Sequence, residues 1–112
     1  MARTKSSITP EIQFEAARII NEFNLKNSKI LSKCFFTPAF NRDFLYLSRN
    51  EFGNISPVAR LKYTGDMKKW KFAIFTWSNE SYDPDELFFP GSQHLNGTIE
   101  GAMKACIEAY PV

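Results

Sequence analysis

The sequence predicts an α+β domain: an N-terminal helix, a three- to four-stranded antiparallel sheet, and a C-terminal helix packed on that sheet. Three observations predict it. Both ends of the chain carry apolar residues at helical spacing behind clear capping signals, and between them short alternating runs are separated by Gly, Pro and Asn turn residues. In the third, Trp70-Lys-Phe-Ala-Ile-Phe-Thr-Trp77, both alternating sets are mostly apolar. Such a strand is either covered on both faces or exposes aromatic surface on one.

The length of 112 residues suits one domain with a core of its own. Residues 1–8 read as a flexible basic lead-in and 9–112 as the folded unit. Aromatic residues make up 15% of the chain and charged ones 23%, so the surplus lies in large rings that need a core or a partner. The net charge of +2 is far below that of a dedicated nucleic-acid binder, and charge alone decides nothing. Cys34 and Cys106 are far apart with no metal-ligand spacing, and the polar start has no apolar run behind it. The expectation is a soluble, cytoplasmic protein with reduced thiols, no membrane span and no cofactor.

Thr9-Pro10-Glu11 opens the first helix, with Thr as N-cap, Pro at the first helical position and Glu against the positive end of the dipole. Ile12, Ala16, Ile19, Ile20 and Phe23 form its core stripe, while Phe14 and Leu25 fall on the opposite side. Those two are covered by the following loop or mark a subunit contact. Lys29–Thr37 is a candidate first strand stopped by Pro38, and Phe44–Ser48 is a second, with Phe44/Tyr46 on one face and Leu45/Leu47 on the other. After Pro57, Ala59, Leu61 and Tyr63 alternate with Arg60 and Lys62, so one face of that strand is wet. Gly65-Asp66 turns the chain into the central strand. Ser78–Asp85 reads as a polar loop, Leu87-Phe88-Phe89 as a short edge strand, and Ser92–Gly97 as a loop.

Thr98 caps the last helix, which runs from about Ile99 to Tyr110 and is stopped by Pro111. Ile99, Ala102, Met103, Cys106, Ile107 and Tyr110 share its core face. Gly101, Ala105 and Ala109 form a row that admits another backbone, either the domain's own or that of a second subunit; Gly101 and Ala105 are therefore candidate dimer contacts together with Phe14 and Leu25.

Chemistry-bearing residues are sparse. His94 is the single histidine and would be the base of a small hydrolase, with Cys34 as the conceivable thiol partner, yet neither stands where a thiolate is stabilised. Asp83, Asp85 and Glu86 lack the glycine and later glutamate of a calcium loop. No metal site or catalytic residue is assigned. If both helices pack on one face of the sheet, the other carries Arg60, Lys62, Lys71, Phe75 and Trp77. Rings interleaved with cations are what single-stranded nucleic-acid platforms use; alternatively, Phe75 and Trp77 are core residues under a cover.

The element order is similar to that of double-stranded RNA-binding domains, although the position of their lysine-rich second-helix start reads Asn96-Gly-Thr-Ile-Glu100 here. Lys69–Ile74 followed by Gly97–Ala102 looks like the strand-then-helix cadence of integrase arm-binding and related DNA-binding modules, with 78–96 as a long insert. Both likenesses are topological, and no family is assigned. The expectation is a small non-enzymatic binding or regulatory module that binds nucleic acid through an aromatic and basic sheet face. The alternatives are a homodimeric protein-interaction module with no nucleic-acid role and, more remotely, a hydrolase using His94.

Overall fold

The computed structural model describes residues 8–86 and 88–111. Helix α1 (Pro10–Lys26) and a single helical turn α2 (Ser28–Leu31) precede strands β1 (Cys34–Asn41), β2 (Phe44–Glu51), β3 (Asn54–Lys62), β4 (Lys71–Thr76) and β5 (Ser81–Asp83). A 3-10 turn at Ser92–His94 and helix α3 (Ile99–Ala109) complete the chain. The strands form one antiparallel sheet in the order β1-β2-β3-β4-β5. The predicted α+β class holds, with five strands rather than three or four.

Both helix starts follow the capping chemistry. Thr9 Oγ1 accepts from the Ile12 N–H, and Thr98 Oγ1 accepts from the Gly101 N–H at 3.0 Å. Each threonine supplies an acceptor to a backbone donor that the helix itself leaves orphaned. α1 buries Ala16, Ile20 and Phe23, and α3 buries Ile99, Ala102, Met103 and Cys106. These meet Phe36, Leu45, Leu47, Ala59 and Leu61 from one face of the sheet in a single core. Burial pushes the Cys106 thiol up to about 12, which makes it an inert core residue.

Five sequence expectations need correction. The strand expected at Lys29–Thr37 begins only at Cys34, because Lys29–Leu31 continue the helical path through α2. Pro38 lies inside β1 rather than ending it, which a strand at the sheet edge tolerates because no ladder bond is needed on its open side. Pro57 likewise lies inside β3, beside a bulge: Leu47 pairs with Ala59 and Ser48 with Pro57, leaving Val58 unpaired. The polar segment read as a loop supplies β5, where Tyr82 pairs with Phe75, while Phe88 is exposed and outside any strand and Leu87 lies outside the described residues. This three-residue edge strand is held by its ladder and by the ring contacts of Tyr82, so its polar composition carries no strand signal.

The expected lead-in is described only at Ile8, which is buried and donates its N–H to the Arg42 carbonyl; residues 1–7 lie outside the described residues. At the opposite edge of β1, Asn24 of α1 protects the strand. Its amide donates to the Phe36 carbonyl at 3.0 Å and accepts the Phe36 N–H at 2.9 Å. One side chain thus replaces a neighbouring strand at that residue and blocks edge-to-edge pairing there. Among the described residues, no helix is long and apolar enough to cross a membrane.

Candidate nucleic-acid interface

Because both helices lie on one side, the other side of the sheet faces outward. Its residues follow from the register. Phe44 stands opposite Lys62, and Lys62 opposite Lys71; one step along, Tyr46 stands opposite Arg60, and Arg60 opposite Ala73. Next come Phe75 and Tyr82, paired across β4 and β5. The face is therefore a grid of rings and cations, built by period-two alternation across four adjacent strands, β2 to β5.

The cations are concentrated at one end. Lys62 and Lys71 are exposed and directly opposite each other, with Arg60 two residues along β3 on the same side. Among the described residues, none of the three forms an ion pair, and no carboxylate occupies a strand position of this face. The nearest acidic strand residues, Glu51 and Asp83, share alternation with the core-facing set, opposite Cys34 and Ile74.

Arg60 is further positioned by rings. Its guanidinium carbon lies 4.6 Å from the centroid of Phe44 and 5.5 Å from that of Tyr82, within cation–π range of both. Tyr46 and Tyr82 meet edge to face at 5.5 Å, and Tyr82 meets Phe75 at 5.2 Å. Partial burial, with the Tyr46 phenol beside it, pushes the Tyr82 hydroxyl above its ordinary pKa. The rings form a continuous band, Phe44, Tyr46, Tyr82, Phe75, Trp77, across the sheet.

The two rings singled out from the sequence differ. Phe75 is only 7% exposed, whereas Trp77 is 54% exposed. Phe75 is therefore not available to stack a ligand: Tyr82 and Trp77 close over its edges, and the Tyr110 hydroxyl donates to its backbone carbonyl. It is the floor of the band and Trp77 the accessible ring. Phe44, Tyr46 and Tyr82 were missed as members of the face. The alternation of Phe44 and Tyr46 with Leu45 and Leu47 carried the signal for the first two, but only strand order places β2 beside β3; Tyr82 was hidden in a segment read as loop.

The residues suggested as subunit contacts separate as well. Gly101 and Ala105 are buried within the domain, because the 91–96 loop packs on α3. A methyl group at Gly101 would fall against Asn96 Oδ1 and 2.5 Å from the His94 carbonyl, and one at Gly91 would meet the Ala105 backbone. The small-residue row therefore accommodates this chain's own backbone. Gly101→Ala should cost about 1–3 kcal/mol by overpacking, read as a lower melting temperature with no change in oligomeric state; an altered oligomer at unchanged stability would restore the subunit-contact reading. Phe14 and Leu25, at 74% and 77% exposed, are not covered by the loop. They stand eleven residues, roughly 16 Å, apart along α1, as separate surface residues rather than one patch.

His94 serves the same loop. Its Nε2 lies 2.6 Å from Glu108 Oε2, and Gln93 donates to the other Glu108 oxygen at 3.1 Å. These hydrogen bonds, that of His94 foremost, hold the Glu108 carboxyl below its ordinary pKa. In the hollow beside His94, Thr98 supplies the hydroxyl, and that hydroxyl already donates to Asn96 Oδ1 at 2.6 Å. Base and hydroxyl are each engaged in fastening the loop to α3. Asp83 Oδ1 accepts the Asp85 N–H at 2.9 Å and so shapes a turn. No protein family, curated protein or solved structure was found to match this chain, and the character of the site rests on its geometry.

Proposed function

We propose that this chain is a small cytoplasmic, non-enzymatic module that binds single-stranded nucleic acid on the open face of its sheet. The observation that carries this reading is the cation cluster: Lys62 directly opposite Lys71, with Arg60 beside them and, among the described residues, no carboxylate at a strand position of the face. Like charges placed directly across a ladder destabilise it, and a phosphate between them reverses that cost. Trp77 supplies an accessible ring for a base, and the band of rings behind it holds Arg60 in place. Phosphate contacts set affinity and make it salt-dependent, while stacking tolerates any base.

Paired substitutions test this. Lys62→Ala should weaken binding to oligo(dT) severalfold and lower the slope of log K against log salt by about one, whereas Trp77→Ala should remove roughly 1–3 kcal/mol with the slope unchanged. Lys62→Ala should melt near the parent temperature, and Trp77→Ala, which loses only the edge contact of an exposed ring with Phe75, should fall by far less than a core truncation. A strongly destabilised Trp77 variant beside an inert Lys62 variant refutes the reading.

A second reading, self-association, draws on a different part of the same face. Phe35 and Ile55 flank Asn50 in register, and Phe52 stands at the tip of the β2–β3 hairpin, all three exposed. A concentration-dependent dimer in light scattering, lost on Ile55→Asp and accompanied by no oligonucleotide binding, would favour it.

A further inference from the structure

We propose that the ligand of this face is a polynucleotide segment of at least about four nucleotides, not a mononucleotide or a nucleotide cofactor; this rests on the nucleic-acid reading above. The two features that would hold a nucleotide lie at opposite ends of β4. The exposed cations are at its start, Lys71 with Lys62 across from it, and the exposed ring, Trp77, comes just after its last residue, Thr76. From Lys71 to Phe75 is four residues, roughly 13 Å at strand rise, and the Trp77 ring centroid lies 4.9 Å from that of Phe75. A phosphate on Lys71 and a base on Trp77 therefore belong to different nucleotides. At the ~3.4 Å rise of a stacked strand, the span takes about four of them.

Between the two ends the surface suits a chain that passes over rather than one that stops. Ala73 is buried, Phe75 is closed over, and Tyr46 and Tyr82 are half-buried with their rings packed on one another, while Arg60, opposite Ala73, is itself half-buried with its guanidinium taken up by the Phe44 and Tyr82 rings. The cations and the exposed ring thus act as two separate anchors, and linking them converts the second contact into an intramolecular one. A single nucleotide engages one anchor at a time and gains nothing from the other.

The test is a length series of oligo(dT), with one, two, four and eight nucleotides, titrated at low salt and followed by Trp77 fluorescence in a Trp70→Phe background. The expected result is a fall in Kd of a hundredfold or more between two and four nucleotides and only a few-fold change from four to eight. In Lys62→Ala/Lys71→Ala protein the steep step should disappear, leaving a shallow dependence on length. A dinucleotide that binds within tenfold of the tetranucleotide would overturn this inference while leaving the nucleic-acid reading intact. Absence of binding at every length would overturn both. Should Trp70→Phe fail to fold, the same series followed by calorimetry on the parent protein gives the same comparison.

Discussion

Met103→Ala is expected to lower the stability of this domain by about 2–5 kcal/mol. Met103 is fully buried in the middle of the α3 core stripe, between Ile99 and Cys106, and packs in the same cluster as Leu47, Ala59 and Leu61 of the sheet. Removing its thioether leaves a cavity that neither helix nor sheet can collapse into without losing other contacts. At roughly 4–8 °C per kcal/mol for a domain of this size, the melting temperature should fall by about 8 °C or more. Lys104→Ala, on the exposed side of the same helix, should change stability by no more than about 0.5 kcal/mol. Equal melting temperatures for the two variants would contradict the placement of α3 on the sheet.

The second large effect is expected at Arg49. It is 5% exposed, and its guanidinium donates from Nε to Glu51 Oε2 at 2.7 Å and from Nη1 to the Tyr110 carbonyl. That carbonyl lies at the C-cap of α3, where a cation satisfies an orphan acceptor and complements the helix dipole. The Tyr110 hydroxyl in turn donates to Phe75. One arginine of β2 thus fixes the end of α3, which is tied to β4 under the ring band. Arg49→Met keeps the stem and removes the donors, and should cost about 1–3 kcal/mol. The pair with Glu51 adds little, since that carboxylate is partly exposed. Arg49→Lys should recover only part of the loss, because an ammonium cannot reproduce the fork. Thermal melts of the two variants check the ordering, and a parent-like Arg49→Met would remove the cap from the account.

The helices and the three alternating strands were legible because local signals and burial agree there. Thr9-Pro10 and Thr98 start helices where they sit, and Leu45/Leu47 and Ala59/Leu61 face the core as their alternation requires. Arg49 was legible in principle and missed: it continues the core-facing set Leu45, Leu47, and a charge on that set calls for a partner. The placements of Pro38, Pro57 and β5 were not legible. An edge position, a bulge and a three-residue ladder are properties of pairing between strands, and no residue within those segments announces them. For the outward face, alternation identified Arg60, Lys62 and Lys71. Only the closure of Tyr82 and Trp77 over Phe75 could tell the buried ring from the exposed one.

The two tryptophans offer the most direct test of the open face. Trp77 is 54% exposed at the end of the ring band, whereas Trp70 is 5% exposed and belongs to the core. In a 1H–15N correlation spectrum each gives one indole signal, assigned by Trp77→Phe. Titration with an eight-nucleotide oligo(dT) at low salt should move the Trp77 signal in a saturable way, leave that of Trp70 in place, and lose its effect as salt is raised. A spectrum in which neither indole moves, or in which only Trp70 does, would contradict the binding of nucleic acid on this face.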